Sequence, residues 1–194
     1  MSVIDATTAI EQGELVIYPT ETVYGLGGDA LSSSTVERVF EAKGRAQSEA
    51  MSMALAELED IDRYADPSAT AMAFMRTFLP GPVTPLVPKK DKIPDILTAG
   101  RDTVGIRIPN HETALNLLSR TGPITSTSAN ISGNASASQI SELDDIIEAT
   151  SVVLDGGRCT VGVGSTVVNT QTWELVRAGA HAEKVNRWIE KNVN

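Results

Sequence analysis

The chain has very few side chains that form disulfides or bind metals, with one cysteine, Cys159, and two histidines in 194 residues. A single cysteine cannot form an internal disulfide, and so few cysteine and histidine ligands argue against a zinc cluster. No run of about 18 apolar residues is present, so the sequence predicts no membrane-spanning helix. Residues 1–13 are polar and acidic, unlike a secretory signal. These absences predict a cytoplasmic protein without a membrane segment.

Basic residues are scarce relative to acidic ones. The chain has 16 lysines and arginines against 25 aspartates and glutamates, a net charge of −9. Proteins that bind nucleic-acid backbones normally carry a broad basic face, so we expect direct tRNA binding to be weak or absent. A small basic pocket for a phosphorylated metabolite remains compatible with this charge. An acidic surface would also suit a salt-rich cytoplasm, and composition alone leaves that alternative open.

Several common catalytic signatures are missing. No G-x-x-x-x-G-K-[ST] P-loop occurs, and the many serines include no G-x-S-x-G nucleophile elbow. Only His111 and His181 are available as a base, which disfavours a serine hydrolase. Gly25, Gly27 and Ala30 fit a G-x-G-x-x-A pattern. Because a loop separates them from the preceding strand, they do not form the tight strand–turn–helix of a dinucleotide site.

The length and an apolar content of 41% predict one domain with a substantial core over residues 1–194. Apolar periodicity and capping residues predict helices over 4–12, 32–42, 58–64, 67–78, 110–122, 138–149 and 183–192. Strands are predicted over 14–18, 51–56, 84–87, 103–108, 124–127, 152–154, 166–168 and 175–177. Asp66 is expected to cap the helix over 67–78, and Asn110 the helix that follows. Strands interleaved with helices predict a layered α/β or α+β domain with a mixed sheet.

Polar and basic residues concentrate in loops and at strand ends, where open α/β sheets usually bind ligands. Lys43 and Arg45 flank a glycine at a predicted helix end; they are suited to gripping adjacent phosphates, although the helix dipole also explains cations there. Arg107 lies inside a strand pattern and needs an anionic partner if it is buried, but none if it is exposed. Residues 126–133 form the densest cluster of hydroxyl and amide groups, which suits either an oxyanion site or a serine-rich turn.

The order and spacing of these motifs are similar to those of one enzyme family. The matching stretches are YPTETVYGLGGDAL, VFEAKGR, LPGPVT, TVGIRIPNH, TSANISG, VVLDGG, GSTVV and VRAG. Over nearly the whole chain, from about residue 4 to residue 179, this series resembles the YrdC family of threonylcarbamoyl-AMP synthases. The resemblance implies a single three-layer domain with a twisted mixed β-sheet flanked by helices and a concave basic ligand cavity.

The resemblance also implies a reaction. Family members combine L-threonine, bicarbonate and ATP, which is bound with Mg²⁺, into threonylcarbamoyl-AMP and pyrophosphate. A separate transferase then moves the threonylcarbamoyl group to an adenosine of certain tRNAs. No protein nucleophile is required, because the carbamate oxygen itself attacks the α-phosphorus. Catalysis would then depend on positioning and on neutralising charge in the transition state.

Residue roles follow from the matched motifs. The residues implied in threonine binding are Thr22, Arg107, Ser126 and Ser165. Those implied in ATP binding are Lys43, Arg45, Thr103, Ser128, Ser136 and Arg177. Lys43, Arg45, Ser128 and Asn130 are the implied catalytic residues. Because Lys43 and Arg45 lie past a predicted helix end, we expect both side chains to be exposed.

The loop after the basic motif departs from the family pattern. Residues 46–54 read AQSEAMSMA, where family members often have prolines and a final histidine. Glu49 places a negative charge where a nucleotide contact is expected, and Ala54 removes a possible threonine contact. Two alternative functions stay open at this point. One is a carbamoyl-adenylate-forming enzyme that uses carbamoyl phosphate, and the other is an RNA-binding or regulatory module with affinity for nucleotides.

Overall fold

A computed structural model describes residues 1–193 and contains one mixed sheet with helices on both faces. The strands are β1 (Val16–Tyr18), β2 (Gly25–Gly27), β3 (Ser52–Ala54), β4 (Val83–Pro88), β5 (Thr103–Arg107), β6 (Ile124–Ser128), β7 (Val152–Val153), β8 (Thr166–Asn169) and β9 (Glu174–Arg177). The α-helices are α1 (Val3–Glu11), α2 (Ser33–Lys43), α3 (Ala69–Phe78), α4 (Asp95–Thr98), α5 (Glu112–Thr121) and α6 (Ala182–Asn192). Within the described part of the chain, none of these helices is long and apolar enough to span a membrane.

The sheet runs in the order β7-β1-β2-β6-β3-β5-β4-β8-β9. Three neighbouring pairs are parallel, namely β1 with β7, β3 with β5 and β4 with β8, and the other pairs are antiparallel. The predicted mixed sheet is therefore confirmed. This order places β2, β6, β3, β5 and β4 side by side, so loops and strand ends that are distant in sequence meet at one place.

Alternating side chains along the strands enter two different cores. Val16 and Tyr18 pack with α1 and α5 on one face, whereas Ile17 points to the opposite face and packs with α2. In β3, Met53 and Ala54 divide between the two faces in the same way. Because successive residues of a strand point to opposite sides, a sheet that is apolar on both faces must be covered twice. This gives the expected three layers.

Most predicted helices and strands are confirmed, with shifted ends. Two predicted caps are wrong. Ser68, not Asp66, caps α3, because its hydroxyl accepts a hydrogen bond from the backbone N–H of Ala71 at 3.1 Å. His111, not Asn110, occupies the N-cap position of α5 and makes no side-chain capping bond.

The helix predicted over residues 138–149 is also wrong. Two short 3₁₀ helices, Ile140–Glu142 and Asp145–Ala149, replace it. The Glu142 carboxylate accepts hydrogen bonds from the backbone N–H and the hydroxyl of Ser138. Asp144 accepts from the backbone N–H groups of Ile131 and Ile146. These side chains bind backbone groups of nearby residues and of the loop after β6, and so compete with a continuous α-helix.

Strand β2 was not predicted from the sequence, because its glycines are typical of a loop. A Cβ atom on Gly25 would lie 2.8 Å from Cζ of the Tyr18 ring, and one on Gly27 would lie 2.8 Å from Cδ1 of Ile124. Both distances are shorter than normal Cβ contacts, so a side chain at either position would displace the buried Tyr18 ring or the end of the Ile124 side chain, and glycine avoids this. The G-x-G pattern therefore reflects close packing inside the sheet.

Candidate active site

A cavity of about 520 Å³ gathers most of the sequence-predicted site residues. It is bounded by the loop after β1, the segment after α2, and the strands β4, β5, β6, β8 and β9. Its lining includes Thr22, Arg45, Thr103, Arg107, Ser126, Ser128, Ser136, Ser165 and Arg177. Lys43 and Asn130 do not line it. The motifs therefore converge as the sequence suggested, with two exceptions.

The charged residues of the lining are mainly arginines. Arg45, Arg101, Arg107 and Arg177 line the cavity, and among its described lining residues Glu49 is the one acid. Burial lowers the pKa of Arg177, and the nearby charges of Arg45 and Arg107 lower it further. A positive cavity in a chain of net charge −9 would concentrate an anionic ligand. Sequence reasoning missed Arg101, whose only signal is its place two residues before Thr103.

Arg107 is buried against an internal carboxylate. The side chains of Arg107 and Glu21 are 4% and 7% exposed, and Nη2 of Arg107 lies 2.7 Å from Oε1 of Glu21. Burial lowers the pKa of Arg107, and the charge of Glu21 opposes this effect. The pair meets the requirement that a buried arginine have an anionic partner. Sequence reasoning did not identify Glu21 as that partner.

The Arg107 guanidinium nevertheless retains hydrogen-bonding capacity. Within residues 1–193, Nη2 of Arg107 is engaged by Glu21 in the ion pair, whereas Nη1 has no hydrogen-bond partner. Buried donors are nearly always satisfied in native proteins. Because Arg107 lines the cavity, an oxygen-bearing ligand is a suitable acceptor for these donors.

Lys43 differs from the expectation of an exposed side chain. It is only 1% exposed, and its Nζ donates to the backbone oxygens of Ser128 at 2.5 Å and Asn130 at 2.7 Å. Burial lowers its pKa to about 8, repulsion from Arg45 contributes, and Asp144 opposes the shift. Lys43 ends α2 and turns toward the β6 loop, so its long side chain lies beneath that loop and holds its backbone.

Arg45 leaves α2 after Gly44, which ends the helix with a positive φ of 57°. The Arg45 side chain is 24% exposed. Its Nε donates to the backbone oxygen of Glu49 at 3.1 Å, and its Nη2 donates to that of Ala50 at 3.0 Å. The guanidinium is therefore fixed at the cavity wall by the loop that departs from the family pattern.

Hydroxyl groups in the cavity are also held by neighbours. The Thr22 hydroxyl lies 2.8 Å from that of Thr20. Ser165 shares a 2.8 Å hydrogen bond with Thr84 and accepts one from Nη2 of Arg177 at 3.1 Å. Such contacts fix donors and acceptors before a ligand arrives, which favours a binding site over a flexible serine-rich turn.

Asn130 and Ala54 act behind the cavity surface. Nδ2 of Asn130 donates to the backbone oxygens of Ile131 and Asn134, which shapes the loop after β6. Ala54 is fully buried in the core beneath α1 and α5. It is therefore not part of the cavity wall, so the position offers no surface for a ligand in this chain.

Comparison with known proteins agrees with this geometry. A family model for Sua5, YciO and YrdC, described as "Telomere recombination", matches residues 8–179. The chain belongs to this family. The threonylcarbamoyl-AMP synthase of Pyrococcus abyssi is 40% identical over 176 residues, which cover 88% of this chain and 52% of that protein. The synthase of Homo sapiens is 30% identical over 196 residues, covering 96% of this chain and 70% of that protein.

A solved structure of a family member shows the same fold. P. abyssi Sua5 complexed with L-threonine aligns with a TM-score of 0.87 at 37% sequence identity, covering 94% of this chain and 56% of that one. The chain thus spans about half the length of the first relatives that it matches. The match establishes the family and the architecture of the domain that holds the cavity.

Proposed function

We propose that this chain is an L-threonylcarbamoyladenylate synthase, which forms threonylcarbamoyl-AMP and pyrophosphate from L-threonine, bicarbonate and ATP. The observation that carries the proposal is Arg107, a buried arginine whose Nη1 has no partner among residues 1–193, in the wall of a cavity that three more arginines line. The related synthases and the threonine complex of P. abyssi Sua5 support the same reaction. The product would pass to a separate tRNA threonylcarbamoyl transferase.

The cavity residues divide between the two substrates. Arg107 pairs with the threonine carboxylate, and Thr22, Ser126 and Ser165 surround the amino acid. The proposed ATP ligands are Arg45, Thr103, Ser128, Ser136 and Arg177, and ATP enters as its magnesium complex. Lys43 and Asn130 act indirectly, since both hold the loop that carries Ser128.

The chemistry needs no protein nucleophile. The threonine amine and bicarbonate combine into a carbamate with loss of water. A carbamate oxygen then attacks the α-phosphorus of ATP, the bond to the bridging oxygen breaks, and pyrophosphate leaves with the electron pair. Negative charge grows on the departing pyrophosphate, and the arginines that line the cavity would neutralise it. Orientation and electrostatic stabilisation would supply the rate enhancement.

We expect pyrophosphate release to require threonine and bicarbonate together. The test is incubation of the protein with MgATP, bicarbonate and individual amino acids, followed by mass spectrometry of the nucleotide products and a pyrophosphate assay. Omission of either threonine or bicarbonate should reduce release to background. Equal release from ATP alone would indicate an enzyme that hydrolyses ATP to AMP and pyrophosphate. A parallel reaction tests the first alternative, since formation of carbamoyl-adenylate from carbamoyl phosphate would identify a carbamoyl-adenylate-forming enzyme. Filter binding of tRNA at several salt concentrations tests the second, since salt-dependent retention of tRNA would identify an RNA-binding module.

Arg45→Ala is expected to lower kcat about 10- to 150-fold at saturating ATP, because a charge-assisted contact to the leaving phosphates is lost. Arg45→Lys should recover only part of this loss, since an ammonium keeps the charge but not the two-pronged geometry. The partly exposed side chain makes two loop contacts, so the melting temperature should change little. Steady-state kinetics and thermal melting test this prediction. Full activity in Arg45→Ala would show that Arg45 makes no important contact to the leaving phosphates.

A further inference from the structure

Glu49 occupies an unusual position for an acidic residue. Among the lining residues that the structure describes, it is the one carboxylate in a cavity with four arginines. Its side chain is 59% exposed, and Oε2 lies 3.6 Å from Nε of Arg45. A carboxylate at this distance offsets part of the charge that Arg45 would offer to a phosphate. The cavity therefore contains the Glu49 carboxylate next to Arg45, the residue that is predicted to bind phosphate.

The backbone keeps Arg45 and Glu49 together. Nε and Nη2 of Arg45 are already engaged by the backbone oxygens of Glu49 and Ala50. Within residues 1–193, Nη1 of Arg45 donates no hydrogen bond to a protein atom and Nη2 has a second N–H, so the edge formed by these two nitrogens is left for a ligand. An anion that approaches Arg45 thus comes close to the Glu49 carboxylate as well.

We propose that Glu49 makes the cavity select the magnesium complex of a nucleoside triphosphate over the free triphosphate. This inference rests on the proposed function, which places ATP phosphates at Arg45. Repulsion between two anions grows with the charge of each, and magnesium neutralises part of the triphosphate charge. Glu49 therefore disfavours the free nucleotide more strongly than the complexed one. Arg45 attracts both forms of the nucleotide, and Glu49 makes the affinity for the magnesium complex higher relative to that for the free nucleotide.

The test is calorimetric titration of ATP into wild type and Glu49→Gln, once with excess MgCl₂ and once with EDTA. The amide has nearly the same shape as the carboxylate but carries no charge. We expect Glu49→Gln to bind free ATP about three- to tenfold more tightly than wild type, because each screened charge contact near a protein surface is weak. MgATP, which carries about half the charge of free ATP, should gain only about the square root of that factor, roughly two- to threefold. The gain for free ATP should shrink as salt is added, since dissolved ions screen exposed charges.

Glu57→Gln is the matched control. Glu57 is an exposed glutamate outside the cavity lining, so its substitution makes the same change in net charge. It should leave both affinities unchanged. Thermal melting of each variant verifies that the fold is intact.

The possible outcomes separate this inference from the proposed function. Equal gains for the two forms of ATP, or no gain for either, would overturn the role of Glu49 alone. A loss of MgATP affinity in Glu49→Gln would also overturn it, because such a loss indicates that Glu49 binds the metal. If wild type binds neither form of ATP, the proposed function and this inference both fail.

Discussion

Replacing Arg107 by methionine should lower the free energy of unfolding by about 3–5 kcal/mol, because it leaves the Glu21 carboxylate buried without its cation. The two side chains are nearly inaccessible to solvent and lie 2.7 Å apart. Urea denaturation followed by circular dichroism measures this change. At a temperature where the variant is folded, threonine affinity should fall about 10- to 150-fold, since a charge-assisted contact to the substrate carboxylate is lost.

The double variant Glu21→Gln/Arg107→Met separates the two effects. Removing both charges should restore most of the lost stability, because no unpaired buried charge remains. Threonine binding should stay weak, since the missing arginine is the proposed ligand. If the double variant regains normal threonine affinity by calorimetry, Arg107 has only a structural role. If the single variant is as stable as wild type, the buried pair does not contribute as described.

Lys43→Met should destabilise the protein by about 1–3 kcal/mol for each buried carbonyl that loses its donor. The Asn130 oxygen depends on Lys43, whereas the Ser128 oxygen also accepts from the backbone N–H of Asn130. The expectation of an exposed Lys43 is wrong, since the side chain is buried. Activity should fall too, because the loop that carries Ser128 loses its support. Urea denaturation and the pyrophosphate assay measure both effects.

The pH dependence of stability gives a second test of Lys43. Burial lowers its pKa in the folded protein to about 8, below the ordinary value of 10.5. Between these values the unfolded chain binds a proton that the folded protein has released, so the free energy of unfolding should rise with pH. Wild type should therefore gain stability from pH 8 toward pH 10 relative to Lys43→Met. A constant difference between the two proteins over this range would contradict the shifted pKa.

Local chemistry explains why much of this protein could be predicted from its sequence. Apolar spacing predicted α2, and the Ser32 side chain caps that helix as expected. Such features depend on neighbours within a few residues. The matched motifs identified the family and nine of the side chains that line the cavity, because each motif is a short contiguous stretch.

Where the sequence was misleading, contacts between distant segments decided the outcome. The β2 glycines are typical of a loop, and only their packing against Tyr18 and Ile124 explains why they form a strand. Residues 138–149 have helical periodicity, but the Asp144 carboxylate accepts hydrogen bonds from backbone N–H groups, including that of Ile131 in the loop after β6, and these contacts favour short 3₁₀ turns. Local propensity is a weak preference that such contacts override.

Composition and short motifs were therefore enough to predict the layered fold, the family and nine of the residues that line the cavity. Only the tertiary structure placed Lys43 beneath the β6 loop, Glu21 behind Arg107 and Arg101 in the cavity wall. The Lys43 ammonium reaches acceptors 85 and 87 residues away along the chain. Sheet order and helix packing create such proximity, and they also decide whether a charged side chain faces water, another side chain or a ligand.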